Sequence, residues 1–198
     1  MNRSAQLLAV FMLLVTARPA SAQMLAGEGL IKALRQGGYV IVMRHASSPR
    51  EVPTKQTADA GNVKLERQLD EAGRAGSVAM GRALRDLKIP VGEVLTSPTY
   101  RALETVRLAE LANPRAQTEL GDGGQSMQGV ADTQAGWLRE RVTHLPAGSN
   151  TIIVTHMPNI SRAFPAWGAV EDGEAVIVGS GGRVVGRIKI DEWPRLKP

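Results

Sequence analysis

The 198-residue sequence contains no cysteine. That absence excludes a thiolate nucleophile, a disulfide framework, thiolate-bound metal and a lipid-modified cysteine together. If the chain works outside the cytosol, packing alone must stabilise it. Histidine is scarce as well, at three residues, so a metal hydrolase would have to assemble its site from two histidines and scattered carboxylates. Neither sign of charge dominates. The formal net charge is +5, a mild bias that argues against a concentrated nucleic-acid-binding face. The three tryptophans, Trp137, Trp167 and Trp193, are too dispersed for a base-stacking platform. There is no internal repeat and no heptad pattern. The longest apolar run, Leu7–Val15, falls short of the roughly 20 residues a bilayer span needs.

That run has a different reading. Arg3 precedes it, and Ala20-Ser21-Ala22 follows with the small–x–small pattern of a signal-peptidase site. Residues 1–22 are therefore expected to be a cleaved signal peptide, with Gln23 as the new terminus. The periplasm or the exterior is the expected address, with no stable membrane insertion afterwards. Two arginines and no acid leave with the leader, so the mature chain carries +3. The remainder, 23–198, suits one domain, and 43% hydrophobic against 22% charged residues is a globular composition.

Short apolar runs alternate with helical periodicity along that domain. A helix is expected over 25–36, stopped by Gly37-Gly38, then a buried strand over Tyr39–Met43. Residues 46–66 have no period and form a long loop, which favours a functional role. A helix follows over 70–87, whose Gly73, Gly76 and Gly81 permit close approach to a sheet. Next come a strand at Val91–Thr96, a helix capped by Ser97 or Thr99 and running to about Ala112, and an extended segment at 116–120. Gly121–Gly129 reads as loop, 131–145 as helix and Thr151–Thr155 as strand, with a helix starting after His156-Met157-Pro158. Strands at Ala175–Val178 and Val184–Ile190, joined at Gly179–Gly182, close the chain. This alternation predicts an α/β fold, a three-layer α/β/α sandwich around a mostly parallel central sheet.

In open sheets of that kind, ligands lie beyond the carboxyl ends of strands. Arg44-His45 follow one strand, Ser97 a second and His156 a third, so these points can converge. His144 lies near a helix end, off its apolar face, and reads as a surface residue. An imidazole attacks phosphorus through a neutral nitrogen while the other nitrogen is fixed by a carbonyl. Arg44, and Arg101 one turn into its helix, can match phosphate oxygens with paired charged hydrogen bonds.

The segment Val40-Ile41-Val42-Met43-Arg44-His45-Ala46 resembles the opening of the histidine phosphatase, or phosphoglycerate-mutase-like, superfamily. The resemblance continues through Arg67-Gln68-Leu69-Asp70-Glu71-Ala72-Gly73-Arg74 and Leu95-Thr96-Ser97-Pro98-Thr99-Tyr100-Arg101-Ala102-Leu103-Glu104-Thr105, and ends at Val154-Thr155-His156-Met157-Pro158-Asn159. It points to a small secreted or periplasmic branch. Ala46 stands where the best-known members carry glycine, a departure that points away from the mutases. The resemblance implies that His45 is phosphorylated during turnover, that Arg44 and Arg101 hold the phosphoryl group, and that His156 stabilises transferred charge.

A leaving alkoxide needs a proton donor. Glu119 lies where many members place a catalytic glutamate; Asp122, or Glu51 or Asp59 in the 46–66 loop, are the alternatives. Glu104 reads as a residue that orients an arginine. Lys55, Lys64 and Arg67 read as a solvated charged loop, with an extended anion-binding surface as the other possibility. The expected function is hydrolysis of phosphomonoesters through a phosphohistidine, with no metal or cofactor. A phosphotransferase or mutase, and a non-catalytic phosphate- or envelope-sugar-binding protein, are the competing readings. The expected partner is a small phosphorylated metabolite or envelope component, and specificity is expected in the 46–66 and 121–130 loops.

Overall fold

Residues 40–43 and 151–154 are apolar or β-branched without interruption, which suits strands covered on both faces. The computed structural model describes residues 24–122 and 130–197 and places these runs at the centre of a six-stranded sheet. The strands are β1 (Tyr39–Arg44), β2 (Val91–Thr96), β3 (Arg115–Ala116), β4 (Asn150–Thr155), β5 (Ala175–Val178) and β6 (Val184–Ile188), in the order β3-β2-β4-β1-β5-β6. β4 pairs in parallel with β1, Ile41 opposite Ile152 and Met43 opposite Val154, and in parallel with β2. Only β5 runs against the other strands.

Alternation along the strands divides the core in two. Ile41, Met43, Ile152, Val154 and Ile177 face α1 (Gly27–Gln36), α2 (Glu71–Asp86) and α3 (Tyr100–Leu108), which bring Leu30, Ile31, Leu34, Met80, Leu84 and Val106 to that side. Val40, Val42, Ile153 and Val176 face α4 (Asp132–Arg141) and α5 (Met157–Ala163), whose Ala135, Leu138 and Ile160 cover them. The chain is thus an α/β/α sandwich. Each fully buried Leu or Ile contributes about 1.5–3 kcal/mol by leaving water. No helix among the described residues is long and apolar enough to cross a membrane.

Local departures from the sequence expectation have identifiable causes. The α2 glycines serve contacts other than the sheet. A Cβ on Gly73 would lie 2.2 Å from the Ser47 carbonyl oxygen, and one on Gly81 would lie 2.0 Å from that of Ala109. Gly73 thus lets α2 touch the loop after β1, where Asp70 caps the helix through the Gly73 N–H (2.7 Å) and takes the Ser47 hydroxyl (2.6 Å). Neither Ser97 nor Thr99 caps α3 with its side chain. The Tyr100 N–H donates instead to the Glu66 carboxylate (2.8 Å), a negative group at a helix N-terminus. The 116–120 segment is extended only at β3; Thr118–Leu120 is a 3-10 turn that carries Leu120 into the core. Helix α4 stops at Arg141, where the Thr143 hydroxyl (2.7 Å) and His144 Nδ1 (2.9 Å) both donate to the Glu140 carbonyl. β6 ends at Ile188 because Glu192 folds the chain back by accepting the Lys189 N–H (2.7 Å). The expected leader, and residues 123–129 of the expected 121–129 loop, lie outside the described residues.

Candidate active site

Strands β1, β4 and β2 lie side by side in parallel, so their carboxyl ends share one edge of the sheet. The ladder continues one residue past each end: the His45 N–H donates to Thr155 O and the Ser97 N–H to Val154 O, both at 2.9 Å. These bonds hold the backbones of His45 and Ser97 one strand spacing to either side of the end of β4, where His156 follows. All three residues are buried, His45 at 3% exposure and His156 at 1%. Their rings meet edge-on with centroids 5.1 Å apart. His144, by contrast, is exposed on the far end of α4.

The partners assign the tautomers, because a carbonyl only accepts and a guanidinium only donates. His45 Nδ1–H donates to the carbonyl of Ala46 (2.8 Å), so Nε2 carries the lone pair. Arg101 Nε–H donates to that Nε2 (3.1 Å). Arg101 Nη2 donates to His156 Nδ1 (3.0 Å) and to the Asp122 carboxylate. His156 Nε2–H then donates to Ser97 Oγ (2.8 Å). Arg101, itself 4% exposed, is therefore the hub joining both imidazoles. The Thr105 hydroxyl, one turn along α3, accepts the Ala46 N–H (3.1 Å) and fixes the turn after the nucleophile candidate.

Burial holds both imidazoles neutral. It brings His45 down to about 3, against the pull of the Ala46 carbonyl and with help from Arg101 and Arg44. His156 is likewise driven well below its ordinary value by burial and then by Arg101. A histidine depressed in the folded state gains its proton first in the unfolded chain. Stability is then full above the unfolded pKa of 6.5 and is lost as pH falls from there toward the folded value. For His45 this is expected to remove about 2 kcal/mol between pH 8 and pH 5, and His156 acts in the same direction. Urea unfolding at the two pH values measures this. Histidine ring NMR should show His45 not titrating above pH 5, and His156 titrating well below its ordinary range.

The other predicted residues fall differently. Arg44 stands at the end of β1 with its guanidinium paired to Asp172 (2.6 Å) and to the Val170 carbonyl (3.2 Å), and its Nε is buried with no partner. A buried donor left open beside His45 is a place for an incoming oxyanion. The Glu119 carboxylate accepts from the Thr118 hydroxyl (3.2 Å) and does not line the cleft. Asp122 does, 3.5 Å from His156 Nδ1. It follows a segment tied down by Asn159 and Gln134, whose amides donate to the Gly121 carbonyl (both 2.9 Å). Glu51 is exposed, Asp59 accepts from the Tyr100 hydroxyl (3.4 Å), and Glu104 grips Arg107 on the helix surface.

Arg67 is not a solvated loop residue. Its guanidinium donates to the carbonyls of Pro49 (2.7 Å) and Ser48 (2.9 Å), and burial and the charge of Arg101 depress its pKa. It lines a cavity of about 430 Å³ with Lys64, Glu66, Pro98, Thr99, Arg101 and Asp122. Arg67 thus brings a third guanidinium to the cleft; the only sequence signal for it was its place in the Arg67–Arg74 motif. Lys55 stays on the exposed loop. Among the described residues no group of three or more His, Asp or Glu is placed to hold a metal ion.

No protein-family model and no curated protein matches the sequence. Solved structures do. The protein histidine phosphatase SixA complexed with tungstate aligns at 16% identity and a TM-score of 0.53, over 78% of this chain and 98% of its own. A candidate phosphohistidine phosphatase SixA from Agrobacterium tumefaciens aligns at 16% and 0.56, over 77% and 98%. YhfR from Bacillus stearothermophilus aligns at 17% and 0.52, over 74% and 93%. The chain has the fold of these proteins.

Proposed function

We propose that this chain is a phosphatase of the histidine phosphatase superfamily, working through a phosphohistidine on His45. The observation that carries the reading is the single lone pair on His45 Nε2. It is fixed by the Nδ1–H bond to Ala46, kept neutral by burial, and surrounded by Arg101, Arg44, Arg67 and His156. A phosphoryl group entering the cleft takes over the donors of Arg101 and the open Nε of Arg44. Nε2 then bonds to phosphorus as the ester P–O bond breaks, and the leaving oxygen collects a proton. Water attacks the phosphohistidine in the second half, breaking the P–N bond and releasing inorganic phosphate. Asp122, which lines the cleft, is placed for the proton transfer better than Glu119.

Charge stabilisation on this scheme comes from guanidinium and imidazole groups of the chain itself. The neutral, prealigned His45 favours catalysis over simple phosphate binding, because a binding site gains nothing from an uncharged imidazole beside a dianion. The phosphoryl pocket leaves the remainder of the substrate open. A small phosphorylated metabolite or envelope component fits the extracytoplasmic address proposed from the leader, and intact mass of the mature chain, beginning at Gln23, tests that address.

The test of function is a panel of phosphomonoesters together with a phosphohistidine peptide, the latter because a structural neighbour is described as a protein histidine phosphatase. The purified mature chain is expected to release phosphate with a burst equal to the enzyme concentration when breakdown is slow. Turnover should persist in chelator. No release from any member, with phosphate still bound, would leave a binding protein instead.

A further inference from the structure

Arg44 shows an arrangement the phosphate chemistry alone does not require. Both of its terminal nitrogens are engaged by the 170–172 segment. Nη2 is paired to Asp172 at 2.6 Å and Nη1 donates to the Val170 carbonyl at 3.2 Å. Nε is left as the buried donor with no partner. A guanidinium about one quarter exposed at a strand end would otherwise spread over several rotamers.

The segment that supplies these two partners is braced on every side. The Arg44 N–H donates to the Glu174 carbonyl (3.2 Å) and the Gly173 N–H to the His45 carbonyl (2.9 Å), so the segment is stitched to the backbone of the nucleophile. Glu174 is 6% exposed and takes Arg187 Nε (2.7 Å) and the Glu171 N–H (2.8 Å). From β6, Arg187 also donates to the carbonyls of Trp167 (2.8 Å) and Ala169 (2.7 Å). Gly173 adopts φ +72°, and a Cβ there would lie 2.6 Å from Ile190 Cδ1, so the turn closes tightly on the sheet edge. An exposed loop carrying a chance ion pair would not be tied this way.

We infer that Asp172 is a positioning residue for Arg44: with the Val170 carbonyl it takes up the outer nitrogens and presents Nε to the phosphoryl oxygen. The inference rests on the phosphatase reading. Asp172 touches no reacting atom in this scheme and acts only through Arg44. It also brings a negative charge near an anion site, so its two effects have opposite signs. Its charge weakens phosphate attraction, while its orientation of Arg44 favours the transition state, where a displacement near 1 Å costs about 10²-fold.

Those opposed signs separate positioning from general structural support. In the mature chain, Asp172→Asn is expected to lower kcat for 4-nitrophenyl phosphate by about 10- to 100-fold, with inhibition by inorganic phosphate unchanged or tighter. Asp172→Glu should recover part of kcat. In an Arg44→Ala background, Asp172→Asn should cost nothing further. Wild-type kcat in Asp172→Asn, or the same loss in the Arg44→Ala background, would overturn the inference. The Arg44 Nε–H resonance gives an arm independent of turnover, usable even if no substrate is hydrolysed. One narrow peak shifted by vanadate in the wild type and broadened in Asp172→Asn supports the role. The same narrow peak in both proteins refutes it.

Discussion

His45→Ala is expected to remove turnover by about four orders of magnitude or more, because no neighbouring group can replace the attacking nitrogen. His156 is the nearest candidate, but its Nε2–H is spent on Ser97 and its Nδ1 lies 3.5 Å from the Asp122 carboxylate, which repels a phosphoryl dianion. Rapid quench into alkali, which preserves phosphohistidine, followed by peptide mapping should find phosphate on the peptide containing His45 in the wild type and none in the variant. His156→Ala should slow formation or breakdown of that species while leaving its position unchanged. Stability supplies an internal control. The variant loses a buried neutral imidazole, so its acid destabilisation between pH 8 and pH 5 should shrink by about 2 kcal/mol. Label on the His156 peptide, with His45→Ala turning over at the wild-type rate, would dismantle the mechanism.

Arg101→Ala should produce the second largest loss, about 10²- to 10³-fold in kcat, together with a strong loss of vanadate affinity by calorimetry. One guanidinium reaches His45, His156 and Asp122 together, so its removal also changes how the cleft titrates. Its charge is among the causes that hold both imidazoles neutral. Without it, and with Asp122 left 3.5 Å from His156, His156 should take up a proton at higher pH than in the wild type. Arg101→Lys restores charge without the fork that spans two rings, and it should recover stability more than rate. Unchanged oxyanion affinity in Arg101→Ala would take this residue out of the site.

The elements legible in the sequence were those whose signal is local. Tyr39–Met43 and Thr151–Thr155 read as strands because they are continuous apolar or β-branched runs, and His45 and His156 stood out because each follows such a strand. Arg67 was not legible in that way: its inward turn depends on the Ser48 and Pro49 carbonyls, 19 and 18 residues away, in a loop without periodicity. The different surroundings of Glu119 and Asp122 depend on a 3-10 turn over Thr118–Leu120, which no periodicity announces. The cap of α3 comes from Glu66, 34 residues upstream. Asp172 lies in a polar turn with no pattern at all, and only the assembled sheet places it beside Arg44. Strand order is the same kind of information, since apolar runs name strands but not their neighbours.

That order has a consequence for how the chain is made. β1 is an early strand, yet its two neighbours are β4 and β5, which begin at Asn150 and Ala175. More than one hundred residues of nascent chain must therefore appear before Tyr39–Arg44 can find a partner on either edge. Until then an apolar strand waits without a ladder, and the central layer cannot nucleate from the N-terminal end. Non-local pairing of this kind folds slowly, and waiting strands invite misassembly. On the extracytoplasmic address proposed above the delay would be useful, because a chain whose sheet cannot close until its last quarter emerges stays threadable.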